Sequence, residues 1–211
     1  MMPWLHNAIG LLGTALLPTL GLVLLSGLFS RSLRVRWAVA ALGLVLLLLV
    51  RIDGLPLAAY TRALFGDLSV TTWCLMLGAL SVRLGGPALL RPEERRALLT
   101  LAGLAGLVFY PLAAGLTTFD PYALGWRPWP LVLGLLPILL LLWRLPRRGG
   151  AWVLALAVAA FDLHLLESTN LWDYLFDLWL VLYAWGWGIA RLLHSAWQRG
   201  TRSRFRETKL S

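Results

Sequence analysis

The sequence predicts an all-α, polytopic integral membrane protein of seven transmembrane helices, with the N-terminus outside and the C-terminus in the cytoplasm. Three observations carry that expectation. First, 59% of the 211 residues are hydrophobic, 14% are charged, and the mean hydropathy is +0.75. A soluble domain of this size could not cover so much apolar surface, whereas lipid accepts it. Second, short polar connections divide the chain into seven apolar stretches. Third, charge sorts across those connections. Sixteen of the nineteen Lys and Arg residues fall on one alternating set, and seven of the ten Asp and Glu residues on the other. Cytoplasmic loops retain Lys and Arg, so the basic set marks the inner side.

Counted by side, the net charge of +9 resolves into about −4 outside and +13 inside. The basic excess is therefore read as a topology determinant and a contact for anionic lipid, and nucleic acid is excluded as a partner because no aromatic-basic interleaving lies outside the spans. Cys74 is the only cysteine and sits in an apolar stretch, so no intrachain disulfide is available. The start of the chain lacks the cationic region of a secretory signal, and the first apolar run reads as a retained span. Eighteen Arg against one Lys suggests a bacterial genome rich in GC, and the bacterial inner membrane as the location.

The first span covers residues 7–29 and stops at the cluster Arg31, Arg34 and Arg36. The second, 37–50, has an uncharged run of only fourteen residues, but without it every later loop would change sides and the charge sorting would collapse. Residues 57–65 read as a short interfacial helix in the outer loop that follows. The third span follows Gly66 and Asp67 and runs to 82, with Asp67 placed to cap its first turn. Arg91-Pro92-Glu93-Glu94 reads as a capped start for span four, with proline at the first position and acids facing the positive end of the helix dipole. Span four ends near 116 and span five at 143. Span six is read as 151–171 and span seven as 174–193. Residues 1–197 thus form the membrane domain and 198–211 a basic cytoplasmic tail. Eight of the twelve Trp residues fall at predicted span ends, where an indole bridges apolar and wet layers. Gly103 with Gly106, and Gly186 with Gly188, read as close-packing positions between helices.

The strongest chemical signal lies in predicted span six. Counted from Ala151, Asp162 is roughly 16 Å into the span, near the bilayer midplane, with His164 and Glu167 in the outer half. Ionisable groups at that depth need a partner or a hydrated cavity. His164 and Glu167, three residues apart on one helix face, form a candidate catalytic acid–base pair. Asp162 points away from both and is a candidate gating carboxylate, with Arg51 as a conceivable partner. Asp173 and Asp177, four apart, are expected on one face of span seven. Together with Glu167 and Asp120 they suggest an outer acidic site, flanked by Arg51, Trp126, Arg127, Trp129 and Trp172, for a hydroxylated substrate, a proton or a cation. The competing structural reading pairs these acids with Arg51, Arg62 and Arg127 and uses them to cap helices. At the inner end, Arg199, Arg202, Arg204, Arg206 and Lys209 are expected to contact lipid headgroups.

The Gly-x-Ser-x-Gly, His-Glu-x-x-His and His-x-x-x-His patterns are missing, and no cofactor or metal is implied. The leading functional expectation is a non-catalytic, multi-pass component of cell-envelope assembly, with an acidic, Trp-rich outer face. Its expected partners are the bilayer, anionic lipids at the cytoplasmic face, and another membrane or periplasmic envelope protein. Two alternatives stand beside it: a membrane-embedded enzyme using His164 and Glu167 on a lipid-linked substrate, and a small proton- or cation-coupled transporter using Asp162.

Overall fold

The computed structural model describes residues 3–144 and 148–207, with side chains over 4–144 and 148–198. Among the described residues the chain is all-α but for one two-stranded hairpin. Its order is α1 (Pro3–Phe29), α2 (Leu33–Leu49), β1 (Arg51–Ile52), β2 (Leu55–Pro56), α3 (Leu57–Phe65), α4 (Val70–Arg83), α5 (Pro92–Ala113), α6 (Ala123–Trp126), α7 (Pro128–Arg144), α8 (Gly149–Asp162), α9 (Trp172–Leu175) and α10 (Leu178–Glu207). Two of these helices, over Trp4–Phe29 and Pro92–Ala113, are long and apolar enough to cross a membrane. The apolar helices α4, α7 and α8 are shorter, at 14, 17 and 14 residues.

Local chemistry explains the boundaries. Ser69 caps α4, its hydroxyl accepting the Thr72 N–H at 3.2 Å. Pro92 opens α5, and Glu94 closes a box back onto the Arg91 N–H at 2.8 Å. The other Glu94 oxygen accepts the Gly149 N–H at 2.8 Å, so one carboxylate caps the starts of both α5 and α8. Asp53 and Gly54, at φ 50° and 80°, make the two-residue hairpin turn. An Asp-Gly pair supplies the positive φ at both positions that such a turn demands. The Tyr60 hydroxyl donates to the Ile52 carbonyl at 2.8 Å and ties this hairpin to α3.

Packing follows small residues. Gly103 and Gly106 of α5 face α10: the Trp185 indole donates to the Gly103 carbonyl at 2.9 Å, and a methyl group at Gly106 would lie 2.3 Å from Val181 Cγ1. Gly186 and Gly188, by contrast, face open space and do not serve as close-packing positions. The largest apolar cluster joins Leu131, Ala157, Ala160, Leu166, Leu171, Tyr174 and Leu175, drawing α7, α8 and α9 together. Many large apolar side chains of α2, α5 and α7 point outward, among them Leu42, Leu104, Leu133 and Leu141.

Three expectations at element boundaries need correction, the first being span seven, read as 174–193, whose helix α10 starts at Leu178 and continues to Glu207. Span six was expected to run through residue 171, but α8 ends at Asp162 and residues 163–171 form a loop. The Leu-rich composition of that loop mimics a continuing helix. Asp67 does not cap α4; Ser69 does.

Because Val181 is fully buried, Gly106→Ala overpacks the α5–α10 contact. It should cost about 1–3 kcal/mol in detergent-driven unfolding. Adding Val181→Ala to Gly106→Ala should recover most of that loss.

Candidate functional site

The polar residues of the expected outer side gather around two centres. One is Arg62, on α3. Its guanidinium donates from Nε to Asp67 Oδ1 at 2.6 Å and from Nη2 to Asp67 Oδ2 at 2.9 Å. It also donates to Asn7 Oδ1 of α1 at 3.0 Å and pairs with Glu167 at 2.9 Å. The Arg62 and Asp67 side chains are only 16% and 17% exposed, whereas Glu167 is 60% exposed. Gly10 makes room for the group, since a Cβ there would fall 2.5 Å from the guanidinium carbon. The hydrogen bonds to Asp67 raise the Arg62 pKa above its ordinary value against the opposing pull of burial. The charge is therefore permanent.

The second centre is Asp177. One oxygen accepts the Leu180 N–H at 2.8 Å, which caps α10. The other accepts the Ser69 N–H at 2.8 Å and the Thr72 hydroxyl at 2.5 Å. A single carboxylate thereby fixes the starts of α4 and α10 against each other. Asp173 and Asp177 do not share a helix face as expected. Phe176, extended at φ −157°, separates α9 from α10.

The loop 163–171 is wound around Tyr174, whose ring is fully buried. Its hydroxyl accepts the Leu166 N–H at 3.0 Å and donates to the Ser168 carbonyl at 3.0 Å. Asp173 accepts from the Tyr122 hydroxyl at 2.9 Å and the Ser168 hydroxyl at 2.5 Å. Asn170, buried, donates to the Tyr122 carbonyl and accepts the Trp172 N–H, both at 3.0 Å. It lies so close to Gly125 that a methyl group there would sit 1.7 Å from its Oδ1. Burial first, then the bond to Asp173 and the charges of Asp173 and Asp120, push the Tyr122 pKa up to about 12.

The expected catalytic pair is not assembled in the way the helix reading required. His164 lies beyond the end of α8 at φ 50°, exposed, and its Nδ1 meets the Asp162 carbonyl at 2.9 Å. Glu167 turns to Arg62 instead. Asp162 occupies the exposed last position of α8 rather than the middle of a span. Arg51 lies on the hairpin and donates to the Gly54 carbonyl at 3.3 Å, so its contact is local. Asp120 accepts the Tyr122 N–H at 2.9 Å and shapes its own turn. The outer acids do not converge on an ion: among the described residues no three His, Cys, Asp or Glu side chains come together as a ligand set.

The aromatic expectation divides. Trp172 is partly buried, donating to the Pro121 carbonyl at 2.9 Å and packing on Phe109 and Phe176. Trp126 and Trp129 remain 55% and 75% exposed, with exposed Arg127 between them at the α6–α7 junction. The headgroup contacts expected of Arg199, Arg202, Arg204, Arg206 and Lys209 lie outside the described side chains.

The Arg62–Asn7–Asp67 arrangement escaped the sequence reading, which considered Arg62 only as a partner for more distant acids. Its local signal is an Arg five residues before an Asp, across a glycine at φ 70°. Comparison with protein families, characterised proteins and solved structures finds no match for this chain.

Replacing Arg62 by Met strands the Asp67 carboxylate in a largely dry position. It should cost about 2–3 kcal/mol, somewhat below the cost of breaking a wholly buried pair. Glu167→Ala, at an exposed pair, should cost less than about 1 kcal/mol. Unfolding in mixed micelles measures both. Because the Tyr122 pKa is raised in the folded chain, the stability its hydroxyl adds is complete below pH 10.0 and lost as the pH rises toward about 12. The stability gap between wild type and Tyr122→Phe should therefore close across that window.

Proposed function

We propose that this chain is a seven-span protein of the bacterial inner membrane that serves cell-envelope assembly without catalysing a reaction. In this reading α1, α2, α4, α5, α7, α8 and α10 cross the bilayer, with the N-terminus outside. The charge sorting and the outward apolar side chains of α2, α5 and α7 support it, since a soluble monomer rarely exposes large contiguous apolar patches. The 14-residue helices α4 and α8 span only about 21 Å, short of the roughly 30 Å hydrocarbon core. The irregular segments beyond them compensate: Leu68, Ser69, Leu166, Asn170 and Leu171 are buried in protein. Non-helical backbone at membrane depth is tolerated under that condition.

One observation carries the non-catalytic reading. Asp177 caps helices, Asp67 and Glu167 neutralise Arg62, Asp173 accepts the Tyr122 and Ser168 hydroxyls, and Glu167 and His164 turn to different partners. An acid–base enzyme needs both groups within reach of one reacting atom. What the outer end offers a partner is Trp126, Arg127 and Trp129, an exposed aromatic-cationic patch suited to an envelope protein or a lipid-linked glycan.

The test is complementation of an envelope-integrity defect in cells lacking the chain. His164→Ala with Glu167→Ala should complement fully, while Trp126→Ala with Trp129→Ala at equal membrane abundance should not. Loss of complementation by the His164–Glu167 variant, again at equal abundance, would overturn the reading in favour of an enzyme.

A further inference from the structure

At the opposite end of the molecule, α5 and α10 enclose a cleft of about 390 Å³ lined by Pro92, Arg95, Arg96, Leu99, Trp187 and Arg191. The spacing is legible in the chain. Residues 92, 95, 96 and 99 follow the i, i+3, i+4, i+7 rule for one helix face, and 187 and 191 lie one turn apart on α10. The floor is apolar: Leu99 is 1% exposed and packs with Ala102, Leu180, Ala184 and Trp187. The walls carry three guanidinium groups.

Two of those groups are held by neutral partners. Arg95 donates to the Tyr183 hydroxyl at 2.7 Å, and the Arg191 guanidinium lies 4.9 Å from the Trp187 ring centroid. Both contacts orient a guanidinium without neutralising it. The neighbouring Glu94 is committed elsewhere, to the Arg91 and Gly149 N–H groups. Even with Glu93 on the first turn of α5, three guanidinium groups line this one cleft, a local excess of positive charge that an anion would relieve. The planar fork of Arg matches phosphate oxygens better than a point charge does.

We propose that this cleft binds the phosphate of an anionic phospholipid headgroup, with the upper acyl region resting against Trp187. The proposal rests on the membrane reading above, which puts the α5 start and the middle of α10 at the cytoplasmic headgroup level. Soluble phosphate shares the chemistry, but the apolar floor favours a ligand carrying its own apolar part. This site is distinct from the basic tail.

The experiment uses the full chain in a neutral detergent, with binding read by native mass spectrometry and by thermal shift. The probes are dioleoylphosphatidylglycerol, dioleoylphosphatidylcholine and inorganic phosphate. Phosphatidylglycerol should bind and stabilise at concentrations where phosphatidylcholine does not. Changing Arg95, Arg96 and Arg191 together to Gln, with the tail intact, should weaken it on the order of a hundredfold. Arg96→Gln alone, which removes no contact to Tyr183 or Trp187, should weaken it about fivefold and guards against misfolding of the triple variant. Unchanged affinity in either variant overturns the proposal, as does equal binding of the two lipids. Stabilisation by inorganic phosphate equal to that by phosphatidylglycerol overturns the lipid assignment in favour of a soluble phosphate. Release of the chain from membranes by alkaline carbonate without detergent would instead sink the membrane reading, whatever the lipid results.

Discussion

A guanidinium seated over a glycine organises one end of this protein. Arg62 could not sit where it does if residue 10 carried a side chain, and without Arg62 the largely buried Asp67 carboxylate would lose the cation it pairs with. Through Asn7, Asp67 and Glu167 the one cation touches α1, the entry to α4 and the loop after α8. Asp177 continues the work one step further, joining α4 to α10. Apolar contacts are non-directional and by themselves leave packed helices free to slide and rotate against one another. Directional polar contacts of this kind fix their register.

The same economy explains why the outer acids look functional in the sequence and structural in the fold. Asp67, Asp120, Asp173, Asp177 and Glu167 are each taken up by an N–H group, a hydroxyl or the Arg62 guanidinium. Asp177 serves two helix starts, Asp173 steadies a loop through Tyr122 and Ser168, and Asp120 shapes a turn. At the inner end the logic reverses. Glu94 satisfies two helix starts, but Arg95, Arg96 and Arg191 face one cleft, Arg95 backed by the Tyr183 hydroxyl and Arg191 by the Trp187 ring. One end engages most of its acids in internal hydrogen bonds; the other gathers guanidinium groups at a cleft that would take an anion.

Much of this architecture is legible in the residues. Pro92 and Glu94 announce the start of α5, Leu57–Phe65 is a helix in both readings, and Gly103 with Gly106 correctly mark a close helix contact. What fails does so for stated reasons. Residues 163–171 are apolar enough to extend a helix, yet Tyr174, far away in a linear helix reading, captures Leu166 and Ser168 and bends the chain away. Four-residue spacing suggested that Asp173 and Asp177 share a face, which holds only if no extended residue intervenes, and Phe176 intervenes. The Asp53-Gly54 turn carried its own signal, obscured by treating the outer connection as a plain loop.

The central claim is that Arg62 locks α1, α3 and the entry to α4 together. Amide hydrogen exchange on the full chain in detergent, wild type against Arg62→Met, tests it most directly. Protection at Gly66, Ser69, Thr72 and Trp73, whose N–H groups bond to Arg62, Asp177 and Ser69, should fall by about tenfold or more. Protection at the α5–α10 contact around Gly106 should stay as it was. Unchanged exchange at residues 66–73, or a uniform loss across the chain, would contradict the account.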